Sequence, residues 1–208
     1  MSAIIICRAN EVVKLLEARP GISAVLSIEH PGAAEDRHGA APRLDAAGHA
    51  HIDQKILTFW DSEQPVAGGP DMEQVKVGLE FVMAELKKGD VIIHCHAGKA
   101  RSSAIALGAL ALQNPEMAEK DLVDMLVGIR PQAAPNILVL GMIDELTGRG
   151  GKLVQAVLDH AGISAARAQA EANRRDIMLQ NPDYALRMFP EKTVRPENNK
   201  KIGNGPKA

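Results

Sequence analysis

Aromatic residues are nearly missing: 208 residues include three Phe, one Trp and one Tyr. Phe59, Trp60 and Phe81 lie in the body of the chain, and Tyr184 and Phe189 near its end. So few rings exclude the stacking platforms on which single-stranded nucleic acids are bound. Cysteine is as scarce, with only Cys7 and Cys95, which excludes a disulfide framework and predicts a reducing, cytoplasmic setting. No apolar run approaches the roughly 18 residues of a membrane span, so no integral membrane association is expected. Ile4–Ile6 is apolar but short and has no basic segment before it, unlike a secretory leader. There is also no excess of positive charge. The net charge is −2, with 16 Lys+Arg against 22 Asp+Glu in residues 1–173 and 8 against 4 in residues 174–208. An acidic body argues against nucleic acid as partner, and the basic end reads as a solubilising terminus.

What remains is 46% hydrophobic and 24% charged, enough for one domain of about 150 to 180 residues plus an appendage. Short β-branched runs at Ala3–Cys7, Ile22–Ile28, His51–Phe59 and Val91–His94 predict strands. Helices are predicted for the segment after Asn10, which Asn10 can cap, and for Asp71–Lys88, Arg101–Leu112, Met117–Val127, Asn136–Leu146 and Lys152–Asn173. Residues 33–50 read as a loop, and the Gly/Pro-rich stretch after Trp60–Asp61 as a mobile one. Strands alternating with helices, then helices alone, predict an α/β fold: a mainly parallel central sheet flanked by helices, with a helical C-terminal half.

The chemistry concentrates in residues 91–102, VIIHCHAGKARS. A strand delivers His94 and Cys95, five residues follow, and Arg101–Ser102 opens a helix. A loop of that length returning to a helix N-terminus aims backbone N–H groups at one centre, and the helix dipole adds positive potential. Gly98 permits close backbone approach, and the Arg101 guanidinium can fork onto two oxygens of a tetrahedral dianion. The same field favours a thiolate at Cys95. His96, Ala97, Gly98, Lys99 and Ala100 form the substrate-binding loop, in which His96 and Lys99 are either rim charges or ordinary solvent-facing residues. A metal site at His94, Cys95 and His96, with His49 and His51 upstream, is the rival. It is disfavoured because adjacent strand residues face opposite sides and structural zinc sites usually use more than one thiolate.

His94-Cys95-His96-Ala97-Gly98-Lys99-Ala100-Arg101-Ser102 resembles the HCxxGxxR[ST] signature of the cysteine-dependent tyrosine and dual-specificity phosphatases, and fills each fixed position. The chain as a whole is similar to the bacterial predicted tyrosine phosphatase group. The resemblance implies a phosphatase-like fold and hydrolysis of phosphomonoesters through a phosphocysteine intermediate, with no metal or cofactor required. It implies a general acid about thirty residues before the cysteine. Asp61, 34 residues before Cys95, fits, although the Trp60–Asp61 pair lacks the intervening proline of the larger tyrosine phosphatases; Asp53, Asp71 and Glu63 are the alternatives. The resemblance gives His94 a loop-orienting role and lets the Ser102 hydroxyl ease departure of the sulfur. It continues through Arg130–Pro131 and Pro135–Asn136, where Arg130 supports the loop from behind and Asn136 caps a helix.

The expected organisation is a phosphatase domain over 1–150, an accessory helix over 151–173 and a basic, flexible tail over 174–208. With no tyrosine in the body to wall a deep slot, a shallow dual-specificity cleft for a phosphoprotein is expected. Phosphoinositides or small phosphomonoesters, and a weakly active phosphoprotein-binding module, are the other readings. Cys7 reads as a core thiol, or as a resolving partner for an oxidised Cys95.

Overall fold

In a computed structural model of the chain, residues 2–33 and 40–182 are described. Four runs of β-branched and aliphatic residues form strands: β1 (Ile4–Arg8), β2 (Ile22–Glu29), β3 (Asp53–Thr58) and β4 (Asp90–Cys95). All pairs are parallel, in the order β1-β4-β2-β3. Parallel strands need crossovers and are covered on both faces. Here α1 (Val12–Ala18) links β1 to β2, and α2 (Met72–Glu85) links β3 to β4.

The period-two alternation of strand side chains divides the core. Val91, Ile93 and Cys95 of β4 join Ile4, Ile6, Leu26 and Ile28 on one face, beneath most of the helices. Ile92 faces the other way with Cys7, Val12, Leu16, Val25 and Leu44. β4 lies between β1 and β2, and its residues from Val91 to Cys95 are all buried.

Beyond β4 the chain is helical: α3 (Arg101–Gln113), α4 (Glu119–Ile129), α5 (Ile137–Leu146), α6 (Lys152–Asp159) and α7 (Ala161–Gln180). In α3 every residue from Arg101 to Ala111 is buried, because small side chains let neighbouring helices approach on all sides. The described fold is α/β with an all-parallel sheet and a helical C-terminal half.

Three local expectations are corrected. Asn10 does not cap α1. It lies inside a 3-10 turn over Ala9–Glu11, which forms because the Glu11 carboxylate reaches back to the Arg8 N–H (2.8 Å). Residues 152–173 are not one helix: the chain breaks at His160, whose extended backbone (φ −76°, ψ 110°) ends α6 while its Nδ1 accepts the Ile163 N–H and starts α7. Finally, α7 continues to Gln180, so residues 174–180 of the expected tail are helical. Asn181 stops it before Pro182, as the residue preceding a proline resists helical geometry. Residues 183–208, with Tyr184 and Phe189, and 34–39 of the expected loop lie outside the described residues.

The C-terminal helices are packed onto the body. Leu153, Val157 and Ile163 join the main core, and the buried Asp144 carboxylate accepts the N–H groups of Leu153 and Val154 at the start of α6. Among the described residues no helix is long and apolar enough to cross a membrane.

Candidate functional site

The site forms at the C-terminal edge of the sheet, where open α/β folds leave a crevice. β4 ends at Cys95, the chain turns through residues 96–100, and α3 begins at Arg101. Each carbonyl of this turn is held from outside. His96 O accepts the Ala9 N–H (3.3 Å), and Ala97 O and Gly98 O accept from Arg130 Nη2 (3.4 Å) and Nε (3.1 Å). Lys99 O accepts from the Ala134 N–H (2.8 Å) and the Ser103 hydroxyl, and Ala100 O from the N–H groups of Ala104 and Asn136. In a trans peptide the N–H points opposite to the preceding C=O. With the carbonyls of 96–100 turned outward, the N–H groups of 97–101 turn inward.

Gly98 is required by this geometry. Its φ is +63°, and a Cβ there would strike the carbonyl of Cys7 on β1.

At the floor lies Cys95, 2% exposed, with its sulfur 3.3 Å from the Ser102 hydroxyl. Burial pushes the thiol pKa up and Asp61 adds to that push. The Arg101 guanidinium and the hydroxyl and N–H of Ser102 outweigh both, leaving the thiol below its ordinary value. Arg101 is itself buried. Its Nη1 donates to the carbonyls of Phe59 (2.7 Å) and Glu29 (3.1 Å), which aims the guanidinium from the ends of two strands. Its Nε is buried without a hydrogen-bond partner among the described residues. A charged donor in that condition is unfavourable until an anion arrives.

His94 faces away from Cys95, beneath the turn. Its Nε2 lies 2.7 Å from Ser27 Oγ and its Nδ1 3.4 Å from Cys95 O, while Gln54 Nε2 donates to Ser27 Oγ (2.9 Å). Burial pushes the imidazole down to about 4, with Arg101 adding to the effect, so the ring is neutral near pH 7. A neutral ring fits a Ser27 hydroxyl donating to Nε2 and Nδ1–H donating to the Cys95 carbonyl.

Asp61 follows β3 on the segment Phe59–Trp60–Asp61. Its Oδ1 accepts from Asn136 Nδ2 (2.9 Å), which also donates to Ser62 O (3.0 Å). Asn136 Oδ1 accepts the Val139 N–H and caps α5. Expected to be mobile, the segment is laced: Trp60 N–H donates to Gly68 O, Gly69 N–H to Val66 O, and Ser62 Oγ to Gln64 O. The alternatives to Asp61 have other partners. Asp53 stands at the start of β3, at the opposite edge of the sheet, paired with Lys88 (3.2 Å). Asp71 caps α2 through the Gln74 N–H, and Glu63 is paired with Arg167.

His96 is exposed and Lys99 half-buried at the rim. Among the described residues no group of three or more His, Cys, Asp or Glu could hold a metal ion. Cys7 lies beside His94 in the sheet register, on the face opposite the Cys95 sulfur, and burial pushes its thiol up to about 12. It is a core residue in this arrangement.

Two contributors escape a reading of motifs alone. Ser27 is the fully buried one of two serines in the β2 sequence ISAVLSIE, and a hydroxyl inside a largely apolar strand was the available signal. Arg167 lies on a largely exposed helix that carries other charged residues, and it has no sequence signal.

The sequence matches no family model and no curated protein. Solved structures do match its fold. A structure of PTPMT1 in complex with PI(5)P is 14% identical with a TM-score of 0.53, covering 71% of this chain and 91% of that one. The human tyrosine phosphatase-like serine/threonine/tyrosine-interacting protein is 16% identical with a TM-score of 0.56, covering 71% and 92%. DUSP15 is 18% identical with a TM-score of 0.55, covering 78% and 95%. The parallel sheet, the turn from Cys95 to Arg101 and the helices behind it thus compose a phosphatase-like fold.

Proposed function

We propose that the protein is a phosphomonoester hydrolase working through a phosphocysteine intermediate, most simply a tyrosine/dual-specificity protein phosphatase of the reducing cytoplasm. The observation that carries this reading is the pairing of Cys95 with Arg101. A thiol held below its ordinary pKa lies beside inward-turned N–H groups and a guanidinium whose buried Nε has no hydrogen-bond partner among the described residues.

In the first step the Cys95 thiolate attacks phosphorus, the S–P bond forms and the P–O bond to the leaving group breaks. Arg101 and the N–H groups of residues 97–101 hold the equatorial oxygens, and Asp61 gives its proton to the departing oxygen. In the second step water attacks phosphorus and gives its proton to Asp61. The S–P bond then breaks, and the sulfur leaves as a thiolate stabilised by the Ser102 hydroxyl. Arg130 and His94 act on the loop rather than on phosphate.

Residues 1–150 carry this machinery in our reading. A phosphoinositide substrate is the second reading, favoured by the fold likeness to PTPMT1 solved with PI(5)P and by Lys99 at the rim. Turnover of an aryl phosphate between about pH 5.5 and 7, abolished by vanadate, tests hydrolase against binding module. Vanadate binding without turnover would leave only the binding module.

A further inference from the structure

We propose that Arg167, on the C-terminal helix α7, is a positioning residue that holds the Asp61 segment against the Cys95 pocket. The inference rests on Asp61 being the proton donor proposed above. Arg167 Nη1 donates to Pro135 O (2.7 Å) and lies 2.8 Å from Glu63 Oε1, while Nη2 donates to Glu63 Oε2 (2.9 Å). One planar fork therefore grips both flanks of a single hydrogen bond. Glu63 is two residues after Asp61, Pro135 is one residue before Asn136, and Asn136 Nδ2 donates to Asp61 Oδ1. Glu63 Oε1 also accepts the Ile137 N–H at the start of α5 (3.4 Å), joining the same two segments again.

The grip has a fixed base. Ile163, one helical turn before Arg167 on the same face, is 1% exposed in the main core, so α7 cannot slide without uncovering it. The Arg167 side chain is 24% exposed and that of Glu63 41%, which shields the pair partly from solvent. The segment needs such a strap. The bonds Trp60–Gly68 and Gly69–Val66 close it on itself, whereas Asn136 and the Arg167–Glu63 pair fasten it to α5 and α7. Arg167 thereby acts on the site through Glu63 and Pro135 rather than through the phosphate loop. A lysine at 167 would keep the charge but could not serve Glu63 and the Pro135 carbonyl with one planar group.

The test uses the full chain with Arg167→Ala, Arg167→Lys, Glu63→Gln and the charge exchange Arg167→Glu with Glu63→Arg. Arg175→Ala, which breaks only an exposed pair with Glu171 on the same helix, is the control. On phenyl phosphate, Arg167→Ala and Glu63→Gln should each lower kcat by roughly five- to tenfold with KM little changed. On a dinitrophenyl phosphate, which needs little protonation, the loss should stay below about twofold. Arg167→Lys should recover part of the loss, the charge exchange more, and Arg175→Ala should match wild type. Backbone amide exchange over residues 61–69 should quicken in Arg167→Ala and in Glu63→Gln, the second of which leaves α7 untouched. Unchanged exchange in both variants, or equal losses on both substrates, overturns the proposal. Asp61→Asn is run alongside: if it shows no leaving-group dependence the proton-donor reading fails, and amide exchange alone then decides whether Arg167 holds the segment.

Discussion

The Asn136 side chain donates from Nδ2 to Asp61 Oδ1 at 2.9 Å and accepts at Oδ1 from the Val139 N–H at 3.0 Å. One fully buried amide therefore joins the cap of α5 to a carboxylate 75 residues away in the chain. Its remaining donor capacity goes to Ser62 O, so donors and acceptor are all used. The cap and the placement of Asp61 cannot be separated by deleting that residue.

Asn136→Ala should therefore fail twice. It removes an N-cap, typically about 1 kcal/mol, and strands the Val139 N–H and the Ser62 carbonyl in a buried site, for a total of about 2 to 3 kcal/mol. Urea unfolding should show the midpoint falling with an unchanged slope. Turnover of phenyl phosphate should drop with it. A destabilisation below about 0.5 kcal/mol would mean that water replaces the amide and that the bond is incidental.

His94 sets the acid behaviour of the fold. Its pKa is pushed from 6.5 to about 4 in the folded chain, so between those values the unfolded state binds more protons. Stability then falls as pH falls from about 6.5 to 4, by up to about 3 kcal/mol from this group. The stability of His94→Asn should be lower at pH 7 but flatter across that window. Parallel wild-type and variant curves there would place the acid sensitivity elsewhere.

Cys95 and Arg101 should divide the work of the pocket. Cys95→Ser should abolish turnover and keep phosphate-analogue binding, because the inward N–H groups and Arg101 remain. Iodoacetate should inactivate the wild type well below pH 9.0, the ordinary thiol value, with protection by phosphate, while Cys7, pushed up to about 12, should stay unmodified. Arg101→Lys keeps charge but loses the fork and the paired bonds to Glu29 and Phe59. A loss of at least roughly 100-fold in kcat/KM, about 2.7 kcal/mol, is expected. A loss under threefold would remove Arg101 from the phosphate.

The strands, the turn and its flanking helix were legible because they are local. A β-branched run, a glycine at a positive φ and an arginine opening a small-residue helix each declare themselves within a few residues. The Asp61–Asn136 bond was half legible: each residue was singled out, but for separate roles, since nothing in either segment encodes their meeting. The Ser27–His94 contact and the Arg167 strap were illegible because they are products of packing between distant elements. The break at His160 falls where the weak helix formers Asp159, His160 and Gly162 cluster, a local signal that the expectation of one continuous helix passed over.

Asp61 carries the sharpest prediction, since its proposed role depends on the leaving group. A low-pKa nitro-substituted phenolate departs with little help, whereas an alkoxide or unsubstituted phenolate needs a proton in the transition state. Asp61→Asn keeps the acceptor for Asn136 Nδ2 while removing the proton. It should cost little with a dinitrophenyl phosphate and at least roughly tenfold with phenyl or alkyl phosphates. The basic limb of the kcat–pH profile should flatten, because that limb reports loss of the acid's proton. Asp53→Asn should do neither, as its carboxylate pairs with Lys88 at the opposite edge of the sheet. If Asp61→Asn slows both leaving groups equally and keeps the basic limb, Asp61 only positions the loop. Glu63, the nearest other carboxylate in the chain, would then be the residue to test.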